Sequence, residues 1–155
     1  MDLIFAVAAY IQTVMETRRY ARVLARLRSV GLRPTRQRLA LARLLFDGGN
    51  RHVTAEQLHS EALEANIRVS LATIYNTLHQ FTRAGLLREV VVDHGRAYFD
   101  TNTKEHHHFL FEDSGRLQDI PSKGVTVTGL PAAPSGTTVS RIEVIIRLRE
   151  HGSSQ

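Results

Sequence analysis

The chain contains no cysteine, so disulfides and thiolate zinc sites are excluded, and any bound metal must take nitrogen or oxygen ligands. The lack of thiols also fits a reducing cytoplasm. A long hydrophobic run is missing too. Leu3 to Ile11 is apolar but about half the roughly 20 residues that cross a bilayer, and no basic stretch precedes it. It predicts neither a membrane anchor nor a membrane partner, and the protein is expected in the cytoplasm. Acidic residues are scarce where arginine is abundant: between Met15 and Arg43 nine arginines face the single acid Glu16. That imbalance argues against an acidic N-terminal surface and for a polyanionic partner. No internal repeat is present.

What remains is a chain of 155 residues, 43% hydrophobic, with a formal charge of +5, suited to one average domain or two small ones. From Glu16 to Val30, Tyr20, Val23, Leu24 and Leu27 recur at helical spacing, and Gly31 ends the run. The arginine-rich pattern starts just after Met15, which makes Met15 an alternative start and residues 1–15 an extra N-terminal segment. Thr35, after Pro34, is a candidate N-cap for a second helix with Leu39, Ala42, Leu45 and Phe46 inward. Thr54 and Gln57 form a capping-box pattern before a third helix that turns Leu58, Ala62 and Leu63 inward. Ser70 caps a fourth, with Ile74, Leu78 and Phe81 apolar and Ala84-Gly85 at its end.

Leu87 to Val92, the turn Asp93-His94-Gly95 and Arg96 to Phe99 then read as a β-hairpin. Three compact helices followed by a hairpin predict a winged helix-turn-helix over residues 16–100, with the helix before the wing entering the major groove. A small α+β domain without DNA is the plainer alternative. The hinge is expected at 101–105, a second domain at 106–150 and a tail at 151–155. In that domain, strands are expected at His107 to Phe111, Leu117 to Ile120, Val125 to Val127 and Val139 to Leu148, divided by proline and glycine. The fold class is therefore α+β: the winged-helix domain, then a small α/β domain dominated by antiparallel strands that pairs with a twin.

In the fourth helix Thr73, Tyr75 and Asn76 lie off the apolar stripe near the N-terminus, where base edges of double-stranded DNA are read. Arg33, held extended before Pro34, suits a narrow A·T-rich minor groove. Arg36, Arg38 and Arg83 suit phosphates. A helix must also show some polar face to water, so each is weak alone.

His106, His107 and His108 fall on a predicted strand, where alternation sends His106 and His108 to one face. Asp100, His52 and Asp119 are available to complete a set of three nitrogens and two oxygens, suited to Mn(II), Fe(II) or Zn(II). A solvated histidine run is the alternative. His59, His79, His94 and His151 have no comparable constellation.

Taken together, Gly31-Leu32-Arg33-Pro34-Thr35-Arg36-Gln37-Arg38, His52-Val53-Thr54-Ala55-Glu56, Ser70 to Leu78, Tyr98-Phe99-Asp100 and His106-His107-His108 resemble the ferric uptake regulator superfamily. The resemblance covers about residues 24–150. Within that superfamily the chain looks most like the iron response regulators (Irr) of rhizobia and related bacteria, which share the histidine triplet and an Arg-Leu-Arg ending, here Arg147-Leu148-Arg149. The resemblance implies a DNA-binding half contacting DNA through Tyr75 and Arg33, and a C-terminal half that forms a homodimer. It also implies a regulatory metal site at His52, Asp100, His106, His108 and Asp119.

Two departures stand out. The superfamily's structural zinc, held by four cysteines, is expected to be missing, since the first pair of positions holds Phe111 and Ser114. The long dimerisation helix is replaced by the proline-broken stretch Pro121 to Gly136.

The function implied is an iron- and haem-responsive repressor at A/T-rich inverted repeats, with haem held by the triplet His106, His107 and His108. The first alternative is a repressor for which the divalent metal is the direct corepressor. A metal-dependent hydrolase using His106, His108 and Asp100 is the alternative from another class, and it lacks a nucleophile or general-base motif. No enzymatic activity is therefore expected.

Overall fold

The computed structural model describes residues 3–93 and 95–152. His94, expected in the hairpin turn as an ordinary side chain, lies outside the described residues, as do the first two residues and residues 153–155 of the tail. The chain divides between Thr103 and Lys104 into two compact units.

The first unit runs α1 (Leu3–Ser29), α2 (Arg36–Phe46), β1 (His52–Val53), α3 (Ala55–Glu64), α4 (Leu71–Arg83), β2 (Arg88–Asp93) and β3 (Arg96–Asp100). Side-chain caps start three of the helices. Thr35 accepts from the Arg38 amide, Thr54 and Gln57 make both bonds of a capping box, and Ser70 accepts from the Thr73 amide. Each bond satisfies an amide that the helix itself leaves orphaned.

Helix ends are equally defined. Leu32 donates to the Leu27 carbonyl and Leu86 to the Phe81 carbonyl, across Gly31 and Gly85 at φ +74° and +79°. This closure needs a left-handed residue, which glycine supplies without a Cβ penalty. Asn66, at φ 57°, does the same after α3.

The core of this unit joins Leu27 of α1, Leu41 and Leu45 of α2, Leu58 of α3, Ile74, Leu78 and Phe81 of α4 and Phe99 of β3. Three expectations change. The first helix begins at Leu3 rather than Glu16, so the apolar N-terminal segment continues α1 instead of preceding it. Alanine, leucine and other good helix formers in that stretch offer no stop signal. Leu63 is exposed, because one residue beyond the inward Ala62 turns about 100° around the helix. A short strand, β1, was not legible: two residues carry no periodicity, and only pairing with β3 defines it. The sheet order is β1-β3-β2, antiparallel throughout.

The second unit contains β4 (His106–Phe111), β5 (Leu117–Pro121), a 3-10 turn at Ser122–Gly124 and β6 (Ile145–Leu148), in sheet order β5-β4-β6. β5 runs antiparallel and β6 parallel to β4. The sheet is thus mixed rather than mainly antiparallel. The expected strand at Val125 to Val127 does not form, and only Ile145–Leu148 of the longer Val139 to Leu148 run pairs. β-branched residues need a neighbouring edge, whereas Gly124, Gly129, Pro131 and Pro134 keep this stretch off the sheet. Among the described residues no helix is long and apolar enough to cross a membrane.

Candidate functional site

In the first unit His52 and Asp100 are register partners across β1 and β3. The His52 Nε2 atom lies 3.2 Å from Asp100 Oδ2, and the amide of Asn102 donates to Asp100 Oδ1 at 2.8 Å. Asp100 is fully buried. Removing a carboxylate from water is costly unless charge or hydrogen bonds compensate, and Arg88 is its register partner on the other side, in β2. The ends of the pair are fixed by Arg51 and Thr101. Arg51 donates its amide to Thr101 Oγ1 at 2.8 Å, and its guanidinium grips Glu61 of α3 through two nitrogens.

In the second unit the strict alternation of β4 puts His106 and His108 on its buried face. Their Nε2 atoms lie 2.9 Å apart, with the rings edge to face. Asp119, opposite His108 on β5, brings Oδ1 to 3.4 Å from His106 Nε2 and 3.8 Å from His108 Nε2.

The donor set fits a divalent ion. His106 Nδ1 contacts the Lys104 carbonyl at 2.6 Å, so this nitrogen carries the proton and Nε2 presents a lone pair. This is how ligating imidazoles are usually oriented. Two nitrogens held about 2.1 Å from one ion stand about 3.0 Å apart at right angles and about 3.4 Å apart at the tetrahedral angle. The 2.9 Å nitrogen pair and the 3.4 Å pair of His106 with the Asp119 oxygen match these spans, and the 3.8 Å pair of His108 with that oxygen is wider. Glu143, which sequence reasoning missed, places a carboxylate oxygen 4.0 Å from His108 Nδ1. No periodic signal surrounds it.

His107 points the other way. Its Nδ1 accepts from the Val144 amide at 3.2 Å, so its Nε2 carries the proton. Of the other histidines, His59 Nε2 contacts the Val69 carbonyl and His79 packs edge-on against Phe99.

On α4, Tyr75 and Asn76 are exposed and Thr73 half-buried, and Arg33, Arg36 and Arg83 are exposed. Thr73 is partly committed to the cap, with Oγ1 3.0 Å from Ser70 Oγ. Arg38 differs from its expected phosphate role. Its guanidinium donates to Gln80 of α4 at 2.9 and 3.2 Å and to the Arg33 carbonyl at 2.9 Å. It therefore locks α2, α4 and the Arg33 segment together.

Tyr75 donates its hydroxyl to Glu56 of α3 at 2.6 Å. This bond holds the Glu56 carboxyl below its ordinary range and raises the Tyr75 phenol above its own. The signs follow: the bond is intact at neutral pH, is lost in acid as Glu56 protonates and is lost in strong base as Tyr75 ionises. Glu56→Gln is expected to bring the Tyr75 transition to lower pH. Ultraviolet phenolate titration against a Tyr75→Phe reference reads this, and an unchanged transition would show that Glu56 does not hold the phenol.

The arrangement defines a two-unit α+β protein in which each unit brings together imidazole and carboxylate groups of the kind that could hold a metal ion. The chain belongs to the ferric uptake regulator family, whose profile matches residues 29–146. A ferric uptake regulation protein of Cupriavidus metallidurans is 34% identical over 97 residues, spanning 62% of this chain and 68% of its own length. The peroxide-responsive repressor PerR of Staphylococcus aureus is also 34% identical over 97 residues, and the match spans 63% of this chain and 65% of the relative.

Among solved structures, a ferric uptake regulator of Pseudomonas aeruginosa with manganese is similar at 25% identity. Its TM-score is 0.61, over 81% of this chain and 96% of that one. The Vibrio cholerae ferric uptake regulator, at 19% identity, has a TM-score of 0.63 over 81% of this chain and 97% of that one, which supports the fold alone.

Proposed function

We propose that this chain is a homodimeric transcriptional regulator that binds double-stranded DNA when a divalent metal, Fe(II), Mn(II) or Zn(II), occupies its histidine and aspartate ligands. The carrying observation is the convergence of His106, His108 and Asp119, whose ligand atoms lie within 4.8 Å of one another. His52 and Asp100 are proposed to complete the same shell. Asp100 and His106 are six residues apart, so the chain keeps them within about 20 Å even fully extended. One ion drawing ligands from residues 16–100 and 106–150 would fix how those domains face each other, with 101–105 as the hinge. When bound, the metal supplies charge and geometry rather than a reaction.

In this reading the first unit is a winged helix. Helix α4 enters the major groove, Thr73, Tyr75 and Asn76 meet bases, Arg33 reaches the minor groove, and Arg36 and Arg83 meet phosphates. The Glu56 contact holds Tyr75 in one orientation and so cuts the ordering cost of binding.

An iron-response regulator using haem is the finer alternative. It is less favoured because the accessible triplet member, His107, has its Nδ1 occupied by the Val144 amide, the tautomer opposite to an Nε2 ligand. The test is selection from a random duplex library with Mn(II), followed by mobility shifts with Mn(II), with chelator, or with haemin. Metal-dependent retention of an A/T-rich inverted repeat is expected. Equal binding with and without chelator would overturn the proposal, and binding abolished by haemin through His107 would favour the alternative.

A further inference from the structure

The first half of α1 lies outside the family match, which starts at residue 29, and it is apolar where it meets solvent. Leu3, Ile4, Phe5 and Tyr10 are 80%, 79%, 74% and 71% exposed, and Val7, Ile11 and Met15 are exposed as well. No charged residue occurs from 3 to 15. Scattered exposed apolar side chains are ordinary, but a contiguous patch beyond roughly 300–600 Å² marks a contact surface.

The pattern within this stretch is specific. Ile4, Val7, Ile11 and Val14 recur at alternating spacings of three and four, the seam of a two-helix coiled coil. Leu3 and Tyr10 flank the seam on one side and Ala8 and Met15 on the other. Val23 and Leu27, the α1 residues buried in the unit's own core, lie on roughly the opposite side of the helix at 3.6 residues per turn. The seam therefore faces away from α2; Ile4, Val7 and Ile11 are exposed along it, and Val14 at its end is half-buried.

We infer that residues 3–15 pair with the same segment of a second copy as antiparallel helices. The register is self-complementary about the level of Ala9: Ile4 of each copy meets Val14 of the other, and Val7 meets Ile11. Such an isologous contact closes on itself. Charge selects the direction. Parallel pairing would set Arg18, Arg19 and Arg22 of both copies side by side. Antiparallel pairing separates the two Arg18 residues by about 27 Å along the axis, well beyond a Debye length of about 8–10 Å. Joining two such faces would remove on the order of 1,000 Å² from water, the size at which specific interfaces begin. This contact is separate from the proposed metal-coupled DNA binding and does not rest on it.

The chain has no native cysteine, so cross-linking reports register directly. In the full chain, I4C/V14C is expected to form covalent dimers on mild oxidation, whereas I4C alone, with its twins about 15 Å apart along the axis, is not. Adding V7E/I11E to I4C/V14C is expected to abolish that cross-link; both positions are exposed, so folding is preserved. A cross-link that survives V7E/I11E, or one formed by I4C alone, would overturn the inference. Binding of the wild type to anionic vesicles with no cross-link in I4C/V14C would assign the face to a lipid surface instead, and would overturn it too.

Discussion

Replacing His108 by alanine is expected to weaken Mn(II), Fe(II) or Zn(II) binding by at least about 100-fold, since even residues that only orient a ligand typically contribute 10- to 100-fold. Metal-dependent DNA binding should be lost with it. The imidazole is fully buried, shares the buried side of β4 with His106 and faces Asp119 across the strand pair. Its removal takes away one nitrogen donor and leaves the remaining lone pairs with a poorer shell. His59→Ala is the matched control, because its Nε2 contacts the Val69 carbonyl in the first unit, and its metal affinity should be unchanged. Isothermal titration with each metal measures both. Wild-type affinity in His108→Ala, with the fold intact by circular dichroism, would remove His108 from the site.

The second large effect concerns the scaffold. Phe81→Ala is expected to destabilise the first unit by about 3–5 kcal/mol, a large part of the roughly 5–15 kcal/mol that holds a typical domain together. Phe81 has no exposed surface, sits against the ring of Phe46 and lies at the end of α4, where its carbonyl also accepts the closing bond from Leu86. The cavity therefore opens beside a helix end that cannot easily collapse into it. Leu63→Ala, at an exposed position of α3, should cost no more than about 0.5 kcal/mol. Urea unfolding midpoints compare the two. Equal midpoints would mean that Phe81 is not the core residue its burial indicates.

The difference between Phe81 and Leu63 also shows where sequence reading succeeds. Local signals carried the caps at Thr35, Thr54 and Ser70, the closures at Gly31 and Gly85, the hairpin and the alternation that pairs His106 with His108. Each depends on a few neighbouring residues and a fixed helical or strand period. The two-residue strand β1, the parallel placement of β6, the Arg38–Gln80 lock, Glu56 under Tyr75 and Glu143 beside His108 were not legible. They join residues that are distant along the chain, and no period links the partners. The arginine at position 38 shows the consequence: composition makes it a phosphate ligand, but contact makes it a strut between α2 and α4.

By itself, then, the order of residues determined which metals are chemically admissible, where the helices of the first unit end and which two histidines share a face. Those outcomes follow from the missing thiols, backbone capping and strand pleat, all of them short-range. Tertiary structure alone decided that β1 and β3 bring His52 to Asp100, that β4 and β5 bring His108 to Asp119, and that the apolar start of α1 is left facing solvent. Strand register and burial are set by packing between distant segments, and that information is spread over the whole fold.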